Sequence, residues 1–225
     1  VRYIYNGDIH RPRERPGRGI RDRERVYEVT EATEDDYHGI LIGVIEIQHG
    51  ITRTTDFFGN WTETEVINTY NQDLITQYGI VRIATSESGI VGSFYQDGTV
   101  ITQVRSAKVE YIYGDRDGFH GILTGVEESQ HAITRSADQF GNWTETETIN
   151  TYDQALVYNY GIVRVKESHS INEIEQNDTA KSHSEITIVY TYTTGDTQAD
   201  DIPSYLRDQY VRDGEIPIGL LLSAQ

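Results

Sequence analysis

The sequence contains no cysteine and no methionine, and it has few prolines and tryptophans. Without cysteine, the chain has no disulfide, thiolate metal site, iron–sulfur cluster or cysteine nucleophile. Methionine is missing even at the first position, where the chain begins Val1-Arg2-Tyr3. This start predicts a mature protein from which a signal peptide has been removed, and the alternative is a trimmed or partial chain. We therefore expect an extracellular or cell-surface protein.

Long apolar segments are also missing. The nearest candidate, residues 216–222, is interrupted by Pro217 and Gly219, whereas a membrane helix needs about 20 consecutive apolar residues. No membrane insertion is therefore expected.

Basic residues are scarce, with 19 Lys and Arg against 36 Asp and Glu and a net charge of −17. They are concentrated at the start of the chain, where residues 1–25 carry a net charge of +4 and leave −21 for the rest. An acidic body repels nucleic acid and anionic membranes, so neither is an expected partner. The basic arm is suited instead to the acidic body of another copy.

An internal repeat is the strongest feature of what is present. Residues 37–83 align without a gap to residues 119–165, and 32 of the 47 aligned residues are identical. A Tyr-rich strand ends each copy, at residues 109–115 and 189–196, and a third copy of this strand opens the chain at residues 1–8. Similarity at this level indicates a tandem duplication.

Composition and the pattern of short apolar segments predict an all-β fold. Roughly six strands per copy, joined by short turns, are typical of a small β-sandwich of jelly-roll or immunoglobulin-like type. We assign an N-terminal strand and an Arg-rich extended arm to residues 1–25, the first repeat to 26–115, the second repeat to 116–197, and a short helix with an apolar strand to 198–225.

The predicted strands of the first repeat cover residues 39–49, 51–57, 61–70, 78–84, 90–95 and 99–105. Two hairpins are expected among them, one around residues 58–60 and the other around residues 96–98. The only helical pattern lies in residues 203–212. The apolar strand beyond it is expected to lack a partner in its own repeat.

Two pairs of glutamates come nearest to a catalytic motif. Glu63 and Glu65, copied as Glu145 and Glu147, are two apart on a strand, which separates their carboxyl groups by about 6–7 Å, near the spacing of an inverting glycosidase. Both carboxyl groups of a pair then point to the same solvated face, so a structural role is preferred. No Gly-x-Ser-x-Gly nucleophile motif is present. We predict no catalytic residues and no enzyme activity.

Four repeated histidines are candidates for a metal. His38 and His49 recur as His120 and His131, each pair eleven residues apart. This spacing matches no metal motif. We expect the first of each pair to bond a turn and the second to end a strand.

A calcium loop is the other candidate metal site. Asp115 and Asp117 resemble its beginning, although the third acidic position and the terminal glutamate are missing. A plain acidic turn is the preferred interpretation. No other cofactor is expected.

Two further groups of residues are candidate surface sites. Asn60, Asn142 and Asn177 begin sequons for N-glycosylation, which a secreted protein uses in a suitable host. Trp61 and Trp143 are candidates for stacking against a sugar, with a role as strand-end anchors as the alternative.

The terminal segments support a prediction of self-assembly. An extra strand at the start, an apolar strand at the end and a basic arm on an acidic body are suited to joining one chain to the next. The alternative left open is that residues 1–8 complete the first repeat of their own chain. The candidate assembly residues are Tyr3, Tyr5, Arg11, Arg13, Arg15, Arg18, Ile216, Ile218, Leu220, Leu221 and Leu222.

In this outline the chain resembles the strand-exchanging subunits of bacterial pili and fibrils that are built from β-sandwiches. The resemblance is one of architecture and includes no family motif. It implies a structural subunit of an extracellular filament or surface layer, joined head to tail to other copies of itself. The alternative is a tandem carbohydrate-binding module of lectin or adhesin type, with two equivalent sites for glycans.

Overall fold

The computed structural model describes residues 2–5, 41–45, 49–176, 180–210 and 215–225. Most of these residues lie in strands, which confirms the all-β class. The strands are β1 (Arg2–Tyr5), β2 (Leu41–Ile45), β3 (Gly50–Thr55), β4 (Trp61–Tyr70), β5 (Ile83–Phe94), β6 (Val100–Arg105), β7 (Ala107–Arg116), β8 (Phe119–Gln130), β9 (Ala132–Ala137), β10 (Trp143–Tyr152), β11 (Val165–Gln176), β12 (Ala180–Tyr192) and β13 (Leu221–Ala224). The helices are α1 (Gln72–Tyr78), α2 (Gln154–Tyr160) and α3 (Ser204–Tyr210), and a 3₁₀ turn covers Ala199–Asp201.

The helix α3 was expected, but α1 and α2 were not. Residue 78 ends α1, and the following strand begins only at Ile83, so the prediction of a strand over 78–84 is wrong in its first part. The Asn71 side chain caps α1 by accepting a hydrogen bond from the backbone N–H of Leu74, and Gly79, at φ 68°, ends the helix. A seven-residue helix is not stable by itself, and α1 is stabilised by the complete burial of Ile75.

The strands pair antiparallel in two large sheets and one pair. One sheet has the order β3-β4-β5-β7-β8, the other has β13-β12-β11-β10-β9-β6, and β1 pairs with β2. The two sheets do not coincide with the two repeats, because β6 of the first repeat lies in the second sheet and β8 of the second repeat lies in the first. This order does not by itself confirm a jelly-roll or immunoglobulin-like sandwich in each repeat.

Both predicted turns form, although one of the two hairpins has a different ladder from the one expected. β3 and β4 pair along their length around the turn at residues 58–60, as predicted. The turn at residues 96–98 is closed by the bond from Gly98 N–H to the Tyr95 carbonyl at 3.1 Å. Beyond this turn β6 forms its backbone ladder with β9, and its hydrogen bonds to β5 run through the side chains of Gln103 and Ser93. The prediction of a second hairpin with its own backbone ladder is therefore wrong.

The Tyr-rich strand forms an equivalent antiparallel pair three times. In β1–β2 the Cα partners are Arg2 with Ile45, Tyr3 with Val44, Ile4 with Gly43 and Tyr5 with Leu41. In β7–β8 they are Glu110 with Glu127, Tyr111 with Val126, Ile112 with Gly125 and Tyr113 with Leu123. In β12–β13 they are Tyr190 with Ala224, Thr191 with Ser223 and Tyr192 with Leu221. The register shifts at the same step each time, so the three pairs of strands are equivalent.

This equivalence corrects one expectation and decides an open alternative. The apolar C-terminal strand β13 pairs with β12, so the expectation that it lacks a partner is wrong. It is a third copy of the strand that opens each repeat, and Gly219 and Leu221 occupy the positions of Gly121 and Leu123. Only these two residues are shared, too few for the sequence to reveal the copy. At the other end, β1 pairs with β2 inside the chain, which is the alternative that the sequence left open.

A small apolar core lies where each helix meets a hairpin. Val44 of β2 and Ile75 of α1 are buried, as are Val126 of β8 and both Leu156 and Val157 of α2. Among the described residues, the helices are all too short to cross a membrane.

Candidate assembly interface

The first contact between the repeats is the pairing of β6 with β9, which we call the strand joint. The Cα partners run from Val100 opposite Ala137 to Arg105 opposite Ile133. A strand of one repeat thus completes a sheet edge of the next, so that the edge of β9 is covered instead of open to another chain.

Charged and polar side chains fix this joint. The Arg105 guanidinium donates to the His131 carbonyl at 2.8 Å and to the Glu147 carboxylate at 2.6 Å. The Gln103 side-chain amide donates to the Ile133 carbonyl at 3.0 Å. These bonds link the two repeats by both main chain and side chain, and the charged one contributes more than a neutral bond.

The equivalent edge in the first repeat is open. β3 shares three of its six residues with β9, yet all six of its residues are exposed, whereas five of the six in β9 are partly buried. Ile51 of β3 is 60% exposed. His49 lies 2.7 Å from Glu65, at the place where Arg105 approaches Glu147 in the second repeat. The difference arises because β6 covers β9 and no described strand covers β3.

A turn beside the same edge also differs between the repeats. In the second repeat Gln139 lies against Gly98 of the β5–β6 turn. A Cβ added to Gly98 would be 3.4 Å from the Cβ of Gln139. The equivalent residue in the first repeat is Phe57, which is 96% exposed. Its ring is nearly perpendicular to the Phe58 ring, with centroids 5.6 Å apart. An apolar side chain therefore stands next to the open edge of β3.

The second contact between the repeats, which we call the hairpin joint, fastens the segment that follows α1, residues 79–82, to the start of β8. The Arg82 guanidinium donates to the Gly121 carbonyl at 3.3 Å. Gly121 has φ 68°, and a Cβ there would lie 3.3 Å from the Ile80 side chain. Both the backbone conformation and the close approach require glycine at this position.

The hairpin joint is repeated at the end of the second repeat. Arg164 donates to the Gly219 carbonyl at 3.1 Å. Gly219 has φ 77°, and a Cβ there would lie 3.1 Å from Ile162. The second repeat therefore holds β13 as the first repeat holds β8.

The Tyr-rich strand contributes one further anchor. The Tyr113 hydroxyl donates to the Ile83 carbonyl at 2.9 Å, and the equivalent Tyr192 donates to the Val165 carbonyl at 2.7 Å. Burial raises the pKa of both phenols above the ordinary tyrosine value. Tyr5 is the equivalent residue in β1; its side chain lies outside the described atoms.

The predicted glutamate pairs take part in ion pairs across strands. Arg53 lies 2.6 Å from Glu63, and Arg135 lies 2.6 Å from Glu145. Their partners two residues on, Glu65 and Glu147, contact His49 and Arg105 as described above. The two carboxylates of each repeat therefore lie on one face of their strand, β4 or β10, and an arginine lies beside the first of each pair.

The predicted histidine and calcium positions form ordinary surface contacts. His120 stacks on Tyr78 with ring centroids 3.9 Å apart and lies 2.8 Å from the Asp115 carboxylate. Asp117 is 85% exposed and adopts a left-handed φ of 53°. His131 lies 3.4 Å from Glu147, and His38 lies outside the described residues. In the part of the chain that is described, no group of three or more such side chains has the geometry to hold a metal ion.

The first two sequons lie in a turn held by an aspartate. Asp56 accepts bonds from the backbone N–H of Phe58 and of Asn60 and from the Asn60 side chain at 2.8 Å. Asp138 does the same in the second repeat, with the Asn142 side chain at 2.7 Å. The bond from the asparagine side chain is the main cause that lowers the pKa of each aspartate. The asparagine amides thus help to close the turn, and Asn177 lies outside the described residues.

The two tryptophans have different surroundings. Trp61 stacks on Phe94 with centroids 6.4 Å apart, and the Arg53 guanidinium lies 4.2 Å from its ring. Opposite Trp143, at the position that Phe94 has opposite Trp61, the second repeat has Glu175, and a shallow cleft of about 210 Å³ opens beside Trp143. Both rings carry an arginine, since Arg135 lies 4.7 Å from the Trp143 ring. The two tryptophans differ in the stacking of Trp61 on Phe94 and in the cleft beside Trp143.

The terminal candidates are described only in part. Arg11, Arg13, Arg15 and Arg18 lie outside the described residues, as do the side chains of Tyr3 and Tyr5. At the C-terminus, buried Thr193 holds the segment before β13 through backbone bonds to Leu220 at 2.9 Å and to Gly219 at 2.9 Å. Ile216, Ile218, Leu220 and Leu222 are half-buried and Leu221 is exposed.

Sequence reasoning missed the residues that join the repeats. Arg82 and Arg164 were aligned as a repeated pair, and this identity was the available signal. Arg105 has no counterpart in the aligned block and gave no signal at all. Comparison of the chain with family models, with curated proteins and with solved structures finds no match.

Proposed function

We propose that this protein is a structural subunit that assembles end to end with copies of itself into an extracellular filament or surface layer. The single observation that carries the proposal is the strand joint. β6 of one repeat occupies the edge of β9 in the next, while the equivalent edge of β3 is open. A contact between unlike surfaces that leaves one surface of each kind unused propagates into a linear array.

The hairpin joint supports growth of a linear array with a defined direction. It fastens the first repeat to β8 and the second repeat to β13 by equivalent bonds. The chain therefore has a polarity from one hairpin to the next, as repeat arrays have.

The Tyr-rich strand β1 offers a second open edge. β7 and β12 each pair on both sides, with β5 and β8 and with β11 and β13. Among the described strands, β1 pairs with β2 alone. This edge keeps Tyr3 and Tyr5 as candidate assembly residues, alongside the basic arm and the apolar C-terminal residues.

Two-layer packing of each repeat as a β-sandwich belongs to the same proposal. Ile186 and Ile188 share one face of β12 and are 54% and 37% exposed in a single chain. Apolar positions in a row on one strand are suited to burial against a second layer, which neighbouring copies would supply.

The test is the state of the purified protein over a range of concentration, by negative-stain microscopy and sedimentation velocity. We expect elongated particles whose length increases with concentration. A monomer at the highest concentration overturns the proposal. Deleting residues 1–25 and, separately, residues 215–225 then measures what each terminus contributes to assembly.

A tandem carbohydrate-binding module is the second candidate, and the cleft beside Trp143 favours it. The unequal surroundings of Trp61 and Trp143 predict one better site instead of two equal ones. Glycan-array binding that Trp143→Ala abolishes and Trp61→Ala preserves would support this function. Binding that is absent, or insensitive to both changes, would exclude it.

A further inference from the structure

Building on the proposed end-to-end assembly, we infer that the open edge of β3 binds the edge of β12 that faces away from β11, around Ser182, in a second copy. The two strands run antiparallel, with Ser182 of one copy opposite Thr52 of the other. The inference specifies the surfaces and the register of the joint, which the proposed function leaves undefined.

The choice of β12 follows from the repeat. Tyr111 and Tyr190 occupy the same position in equivalent strand pairs. Counting back along the chain from each tyrosine makes the first part of β12 the counterpart of β6. Both segments come directly before the Tyr-rich strand. β12 therefore has in the second repeat the place from which β6 reaches β9.

The edge of β12 is accessible along this part. Residues 180–189 pair with β11 on one side, and pairing on the other side begins at Val189, which exchanges backbone bonds with Gln225 just beyond β13. Within the described chain, no strand pairs with that second edge over residues 182–188. β12 can thus add to β3 without leaving β11.

The register is taken from the strand joint inside the chain. There Gln103 lies opposite Thr134 and Thr102 lies opposite Arg135. Transferred to the equivalent strands, the first pair becomes Ser182 with Thr52 and the second becomes Lys181 with Arg53.

This register places two cations, Lys181 and Arg53, opposite each other, and each of them is paired with a carboxylate of its own copy. Lys181 lies 2.9 Å from Glu175, and Arg53 lies 2.6 Å from Glu63. Across the joint the side chains then follow in the order Glu175, Lys181, Arg53 and Glu63, so that each cation has its own carboxylate. His183, on the same face as Lys181, comes near the Glu63–Glu65 row, where Arg105 approaches Glu147 in the second repeat.

Disulfide trapping tests the register directly, because the chain has no native cysteine. Opposed residues of antiparallel strands have Cα atoms about 4.5–5.5 Å apart, within the range that a disulfide spans. Thr52→Cys and Ser182→Cys are made in separate proteins and mixed under mild oxidation. We expect the mixed disulfide to be the main covalent dimer.

The control is Thr134→Cys, the counterpart of Thr52 on the edge that β6 already covers. It is expected to form at least tenfold less mixed disulfide with Ser182→Cys. Equal trapping by Thr134→Cys overturns the inference, and so does a dominant Thr52→Cys homodimer, which would show two β3 edges pairing with each other.

The same samples separate the inference from the proposed function. Filaments in the microscope without the mixed disulfide overturn the β3–β12 joint and leave end-to-end assembly standing. Monomers at all concentrations, without the mixed disulfide, overturn both.

Discussion

Arg105 of the first repeat and Glu147 of the second form an ion pair of 2.6 Å across the strand joint. In the first repeat the equivalent carboxylate, Glu65, pairs with His49 at 2.7 Å, as Glu147 does with His131 at 3.4 Å. Arg105 is therefore an addition to a contact that both repeats share, and it comes from the strand that covers β9, whereas no described strand covers β3.

Replacing Arg105 with Ala removes the ion pair and the bond to the His131 carbonyl. Because the pair is partly exposed, we expect the free energy of unfolding to fall by about 1 kcal/mol, measured by urea denaturation. Lys166→Ala removes a cation that lies outside the joint and serves as the control. Equal effects of the two substitutions would contradict a specific role for Arg105.

Replacing Gly121 with Ala tests the hairpin joint. The left-handed φ costs about 1–2 kcal/mol for a residue with a Cβ, and the contact with Ile80 adds roughly 1–3 kcal/mol. Gly161→Ala is the matched control, because Gly161 has φ 67° and no atom within 4 Å of an added Cβ. Thermal denaturation is expected to show the larger loss for Gly121→Ala, and equal losses would refute the close packing of the joint.

Acid should weaken the turns that contain the first two sequons. The pKa of Asp138 is lower in the folded protein, so its contribution to stability is present above the unfolded pKa and is lost as the pH falls through the folded value. Asp138→Asn keeps an acceptor oxygen without this titration, and we expect a flatter dependence of the melting temperature on pH between about 2 and 5. Asp117→Asn, at an exposed position that also tolerates asparagine, should retain the slope of the parent protein.

Tyr152 should ionise later than an ordinary tyrosine. Burial, with a smaller effect from the Glu128 charge, raises its pKa to about 12. A raised pKa stabilises the fold below the unfolded value near 10, and this contribution is lost as the pH rises through the folded value. Absorbance titration at 295 nm of the parent and of Tyr152→Phe should differ by one group near pH 12. A difference centred near pH 10 would contradict the buried environment.

Lys181→Thr should strengthen the joint between copies. It places Thr opposite Arg53, as Thr102 lies opposite Arg135 inside the chain. Because like charges directly opposite each other cost roughly 0.2–1 kcal/mol, association should tighten by a factor of about two to five. Sedimentation equilibrium measures the change, and Lys166→Thr on β11 controls for the loss of one charge. Association no tighter than in the control would argue against this register.

The sequence by itself determined the duplication, the β class and most strands of each repeat, because these follow from identity between copies and from local patterns. It also contained the signals for α1 and α2, in the capping Asn71 and the terminal Gly79, although the β-branched residues around residue 80 favoured a strand. The partners of the strands were decided only by the tertiary structure. The local sequences of β6 and β3 both predict exposed strands. Neither sequence indicates that β6 pairs with β9 or that no described strand covers β3. Pairing depends on which edges the chain brings within hydrogen-bonding distance, and that is a property of the folded arrangement of the repeats.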